Sequence, residues 1–179
     1  DEMEKSGWRV TGLEPDSGAR QVAKDSFAVT LEDISGFFQL PAEQFDAITM
    51  WHVLEHVHTL HEYMDQLKKL LKPGGRILIA VPNYTSGDAG HYQSYWAAYD
   101  VPRHLYHFSP GSMEKLASIH GLKLLSCKPM WFDSFYISML SSKYKHGKTS
   151  LPGSFYQGLT SNLKAAGQLR KCSSLIYVL

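Results

Sequence analysis

Apolar residues recur at helical spacing over one stretch, Leu60, Met64, Leu67, Leu70 and Leu71, and this predicts an amphipathic helix that Pro73-Gly74-Gly75 stops. Residues 76–81, Arg-Ile-Leu-Ile-Ala-Val, then read as a strand buried on both faces, because a strand with helices above and below has no polar side. Upstream, residues 45–50 form a further strand, residues 31–44 with Gly36 and Pro41 read as loop, and residues 27–30 as a short strand. Residues 8–13 read as a strand ending at Glu14-Pro15-Asp16. Asp16 or Ser17 then caps a helix running to about Lys24. Downstream, Ser109-Pro110 opens a helix that Gly121 ends, and residues 122–128 follow as a strand. Residues 131–144 read as a helix with Phe132, Phe135, Met139 and Leu140 on one side. A turn-rich break, a second helix over 155–169 and a final strand over 174–179 complete the chain.

Strands alternating with helices over short connections predict βαβ units, hence an α/β class with a doubly wound, Rossmann-like, mostly parallel sheet and helices on both faces. Residues 1–179 are expected to be a single domain with two additions. Residues 83–108 are rich in aromatics without a clean period, too long for a plain connection, and are expected to be a functional lid; residues 131–169 are a helical insertion before the last strand.

The composition narrows the class. The 179 residues are 44% hydrophobic and 20% charged, enough for a substantial core. Eighteen basic against seventeen acidic residues leave a net charge of +1, so no global field favours nucleic acid. The opening residues lack the apolar stretch of a signal peptide, and residues 77–82 are too short to span a bilayer, so a cytoplasmic protein without membrane insertion is expected. Cys127 and Cys172, 45 positions apart, cannot form a zinc knuckle alone.

In open α/β sheets ligands bind outside the carboxyl ends of the strands. Three predicted ends carry suited groups: Glu14, whose carboxylate can accept both hydroxyls of a ribose; Asp33 and Ile34, which can bracket an adenine; and Met50 with Trp51. Val10-Thr11-Gly12-Leu13-Glu14-Pro15-Asp16, Phe45-Asp46-Ala47-Ile48 through Leu54-Glu55-His56-Val57, Leu70-Leu71-Lys72-Pro73-Gly74-Gly75-Arg76 through Asn83, and Pro102-Arg103-His104-Leu105-Tyr106-His107-Phe108-Ser109 occur in this order over some hundred residues. In these stretches the chain resembles the class I S-adenosylmethionine-dependent methyltransferases, in particular the branch that includes ubiquinone-biosynthesis-like O-methyltransferases.

The resemblance implies S-adenosylmethionine as cofactor, S-adenosylhomocysteine as product, a small-molecule acceptor, and a strand order of 3-2-1-4-5-7-6. It also exposes a departure. The family's first strand and its G-x-G-x-G turn are absent from the chain, which is therefore expected to be N-terminally incomplete and to bind the cofactor weakly.

For O-methylation an acceptor proton must be removed, and His104 is the expected base. Arg103 is expected to pair with an acidic group, and Trp51 or Trp96 to face the sulfonium. A homodimer surface is the other use for the lid's aromatics. Two further classes stay open. His52-Val53-Leu54-Glu55-His56 matches the H-x-x-E-H pattern of metal-dependent hydrolases, and in some relatives of the O-methyltransferase branch this turn holds a divalent ion, for which His52, Glu55 and His56 are the candidates. A non-catalytic binding or scaffold domain is the third reading.

Overall fold

The computed structural model describes residues 2–179 and divides them into two compact units, residues up to 42 and residues 43–179. In the first unit, α1 (Glu2–Lys5) precedes α2 (Ser17–Phe27). Asp16 caps α2 as expected, its side chain accepting the amide of Ala19 at 2.7 Å, and Ala28 ends the helix in the left-handed region. The two expected strands shrink to one parallel bridge, Leu13 to Glu32, with the amide of Glu14 donating to the carbonyl of Glu32 and that of Glu32 to Gly12. The alternation that suggests a strand over 8–13 has no face to bury, since Trp8 and Val10 are about half exposed, and a ladder of two short segments is marginal by itself. Gly12 lets Leu31 pack close, since a Cβ at this position would lie 2.4 Å from the end of that side chain.

The second unit holds a four-stranded mixed sheet of β1 (Phe45–Trp51), β2 (Leu71–Pro82), β3 (Ser126–Pro129) and β4 (Ser174–Val178), in the order β1-β2-β4-β3. β1 pairs with β2 in parallel, whereas β4 runs antiparallel to both β2 and β3. This is the 4-5-7-6 part of the expected order. The other edge of β1, where that order puts the first strand, pairs with no strand among the described residues.

Three helices follow the sequence pattern closely: α3 (Leu60–Leu70), α5 (Pro110–Ile119) and α6 (Asp133–His146). The Pro73-Gly74-Gly75 stretch lies inside β2, where the register jumps from Phe45↔Leu71 to Ala47↔Arg76. Gly74, at φ +80°, supplies the left-handed residue that such a bulge needs. Leu67, Leu70, Ile77, Ile79 and Val81 are at most 1% exposed and form the core between α3 and the sheet. Asn83 ends β2 fully buried; its amide donates to the carbonyls of Arg170 and Cys172, and its carbonyl accepts from Thr85.

The two additions are built differently from the core. Residues 83–108 form α4 (Gly87–Tyr92) and short 3-10 turns, with Tyr92 and Trp96 buried. α6 packs on α7 (Leu151–Gly167), and the expected inner side of α6 is partly reversed, since Phe132 is 86% exposed while Ser134, Ser138 and Ser141 are buried.

Candidate functional site

Within the first unit, the parallel bridge brings Glu14 and the 3-10 turn Ile34–Gln39 to the ends of neighbouring segments. Glu14 is half-buried; one carboxylate oxygen accepts the amide of Asp16 at 2.9 Å, which leaves the other for an incoming hydroxyl. Asp33 caps the turn by accepting the amide of Ser35 at 2.8 Å and forms an ion pair with Arg20 at 2.9 Å. The Ser35 hydrogen bond, aided by Arg20, holds this carboxyl below its ordinary range. Arg20 also donates to the carbonyls of Glu14 and Pro15, so one guanidinium fixes both segments. Ile34, half-buried, opens the turn.

In the second unit, β1 ends with Met50 in the core and Trp51 49% exposed. His52 follows in the left-handed region at φ +52°, still donating its amide to Ala80. This kink breaks the run that the H-x-x-E-H pattern needs. His52 and His56 do not stand one turn apart on a helix; a 3-10 turn, Leu54–His56, begins only after the kink. The imidazole of His52 instead lies between two carboxylates, with Nδ1 at 3.2 Å from Glu55 and Nε2 at 3.1 Å from Asp133. The Asp133 and Glu55 hydrogen bonds raise its pKa to about 9. For Asp133, burial pushes the pKa up, but partners led by His52 outweigh it and the carboxyl is held low. The hydrolase reading thus loses its geometry, because both nitrogens of His52 are engaged as donors.

A different set of ligand atoms converges nearby. Glu55, His56 and His104 each bring one within 4.8 Å of the others. His56 Nδ1 lies 3.0 Å from the carbonyl of Arg103, and His104 Nδ1 lies 2.8 Å from that of Ala98. A carbonyl only accepts, so both rings donate from Nδ1, which leaves Nε2 of each as the atom a ligand could meet; His104 Nε2 also lies 3.8 Å from Asp100. Glu55 is 1% exposed, and its Oε2 is buried without a hydrogen-bond partner. Two fixed imidazole lone pairs and an unsatisfied carboxylate oxygen fit a divalent cation. Burial lowers the pKa of His104, which keeps its ring neutral.

The residue 97–108 segment is held onto the 52–58 turn by backbone. The amides of Leu105 and Tyr106 donate to the carbonyl of Glu55, and the hydroxyl of Tyr106 donates to that of His58. Arg103 is 75% exposed and paired with Asp100 at 2.7 Å. A shallow cleft next to the end of β2 is lined by Pro82, Tyr84, Trp96, His104, Tyr106 and His107. Trp96 is only 2% exposed, and its indole Nε1 donates to Asp88 at 2.9 Å. Asp88 is fully buried and also accepts from the hydroxyls of Ser161 and Ser173.

The structure therefore brings His104 together with Glu55 and His56, and moves His52 to Asp133. Sequence reasoning missed Asp133 and Asp88. Their partners lie 81 residues away for Asp133, and 73 and 85 residues away for two of those of Asp88, so no local pattern signals either.

Residues 1–127 match a family described as methyltransferase domain. The mitochondrial ubiquinone biosynthesis O-methyltransferase of Dictyostelium discoideum is 40% identical over 53 residues, which are 29% of this chain and 16% of that protein. The chain thus spans well under half the length of the curated relatives it matches. A SAM dependent methyltransferase from Archaeoglobus fulgidus superposes with a TM-score of 0.62 at 14% identity, over 98% of this chain and 77% of that one. The 1,6-didemethyltoxoflavin-N1-methyltransferase of Burkholderia thailandensis, solved with S-adenosylhomocysteine, superposes with a TM-score of 0.54 at 16% identity, over 99% of this chain and 63% of that one. At such identities these superpositions show a common fold.

Proposed function

Since the chain belongs to the methyltransferase domain family, we propose that it is an S-adenosylmethionine-dependent methyltransferase acting on an oxygen of a small-molecule acceptor. The observation that carries the oxygen chemistry is His104, a neutral imidazole whose Nε2 lone pair stands at an aromatic cleft. S-adenosylmethionine supplies a methyl group on a positively charged sulfur, displaced in line by the acceptor oxygen. The chain's own work is positioning and proton removal.

Glu14 accepts the ribose hydroxyls through its open carboxylate oxygen. Asp33 and Ile34 flank the adenine, with Arg20 and Ser35 fixing the Asp33 carboxylate. Trp51 offers an exposed ring face to a cation. His104 Nε2 takes the acceptor's hydroxyl proton, while the carbonyl of Ala98 keeps the ring in the required tautomer. Tyr84 and Trp96 wall the cleft against water, and Arg103 stands exposed for an acidic acceptor group.

Calorimetric titration of S-adenosylhomocysteine into the intact protein tests this. Glu14→Ala is expected to weaken binding at least about tenfold, the loss of one charge-assisted hydrogen bond. His104→Gln is expected to leave binding intact and slow turnover about 10²–10⁴-fold. An intact protein that does not bind the product overturns the reading, and a non-catalytic scaffold takes its place.

The unpartnered Oε2 of Glu55 favours one second reading, in which Glu55, His56 and His104 hold a divalent ion. Such an ion would make an acceptor hydroxyl more acidic. His104 Nε2 has one lone pair, so it serves either the ion or the proton. Cobalt(II) absorption of the metal-free protein separates the two: a spectrum lost in Glu55→Gln supports the ion, and no spectrum removes it.

A further inference from the structure

The near-zero net charge hides a division. All 17 acidic residues lie at or before Asp133, together with 12 of the 18 basic ones, which gives −5; residues 134–179 carry six basic residues and no acid, which gives +6. That basic segment forms α6, α7 and β4. We propose that the outer face of the α6–α7 hairpin is a docking surface for an anionic lipid bilayer, independent of the methyl-transfer reading.

The hairpin buries mostly small residues, Ser134, Ser138 and Ser141 beside Ile137 on one helix and Ser154, Gly158, Ser161 and Ala165 on the other. Ser134 reaches the carbonyl of Gly158 across the pair, whereas Ser141 accepts from the amide of Ala97 and Ser161 donates to Asp88. Gly158 has no room for more, since a Cβ there would come within 2.6 Å of Phe135. Other large side chains line the outside. Phe132 and Tyr136 stand four apart at the start of α6, and Phe155, Leu159 and Leu163 recur every four residues along α7; their exposures run from 42% at Leu159 to 86% at Phe132, while Ile137 and Leu140 turn inward onto the core. Fourfold spacing puts each set on one ridge, and Phe135 stacks on Phe155 at 5.1 Å between ring centroids to join the two. At the turn between the helices, Lys143, Lys145, His146 and Lys148 are exposed.

An apolar and aromatic helix face flanked by lysines is what binds the headgroup boundary of an anionic membrane. No described helix is long and apolar enough to cross a bilayer, so the hairpin would lie in the interface. Charge decides against a second copy of the chain. A twofold contact brings the same patch of both copies together, and residues 134–179 offer no acid to meet its lysines. The aliphatic ridge Leu159–Leu163 gives a nucleic-acid phosphate nothing to bind.

Flotation of the intact protein with vesicles tests the proposal. The protein is expected to float with phosphatidylcholine vesicles containing phosphatidylglycerol and to stay behind with phosphatidylcholine alone, with salt weakening the binding. Combined Leu159→Ser and Leu163→Ser substitutions are expected to reduce binding at least about tenfold, and Lys143→Glu, Lys145→Glu and Lys148→Glu to abolish it. All five positions are exposed, so thermal melts of both variants should match the parent. Absence of binding to anionic vesicles overturns the proposal, as does equal binding to neutral ones. A dimer that the serine variant dissociates, or RNA binding that the glutamate variant removes without any vesicle binding, overturns it as well.

Discussion

The block from β1 through β2 and the α6–α7 hairpin solve the same packing problem in opposite ways. In the block, the large side chains Met64, Leu67, Leu70, Ile77 and Ile79 are turned inward to 1% exposure or less. In the hairpin, serine, glycine and alanine fill most inward positions beside Ile137 and Leu140, and Phe132, Tyr136, Phe155 and Leu163 stand outward. Removing apolar area from water stabilises the block directly. The hairpin gains close contact and dispersion between backbones but little area. The block is therefore held by its own interior, whereas the hairpin gains most from whatever covers its outside.

The largest effect should come from truncation in the block. Ile79→Ala is expected to lower unfolding free energy by about 2–5 kcal/mol in urea titration, whereas Leu163→Ala, equally a loss of methyl groups, should stay within about 0.5 kcal/mol. Similar losses at the two sites would erase the distinction. Gly158→Leu comes next. It would force α6 from α7 against Phe135, including its Cα at 3.1 Å, and is expected to cost about 1–3 kcal/mol. A neutral outcome would mean that the hairpin is loosely packed.

The smallest effect is a pH dependence at the seam between the two regions, where His52 at the end of β1 meets Asp133 at the start of α6. The folded-state pKa of His52, about 9, lies above its ordinary 6.5. Its contribution to stability is therefore full below about pH 6.5 and is lost as the pH rises through about 9. The difference in urea midpoint between the parent and His52→Gln should narrow over that window. A constant difference would show that no proton is held there.

The contrast also explains what could be read in advance. The block was legible because its signals are local: a 3.6-residue period for α3 and a continuous apolar run for β2. The hairpin's helices were legible as helices, but not their inner faces. Periodicity assigns the interior to the large residues, and here the small ones take it. The first unit's strands over 8–13 and 27–30 misled for a related reason, since alternation signals a ladder only where partners exist on both sides. In the candidate site, the Leu54-Glu55-His56-Val57 turn and His104 could be picked out from the order of their motifs. That His104 would join Glu55 and His56, while His52 bridges Glu55 and Asp133, depends on the left-handed kink at His52 and on Asp133 81 residues away, neither of which leaves a trace in local sequence.

Asp88 has a mechanical consequence. One of its oxygens receives Ser161 of α7; the other receives Trp96, a wall of the cleft, and Ser173 beside β4. These three donors belong to three separate stretches of chain, and a buried carboxylate gives up such donors only at a cost of about 1–3 kcal/mol each. The cleft wall and α7 are thus geared to each other through two oxygen atoms. Asp88→Asn is the substitution that would let the gear slip, loosening Trp96 and Ser161 together.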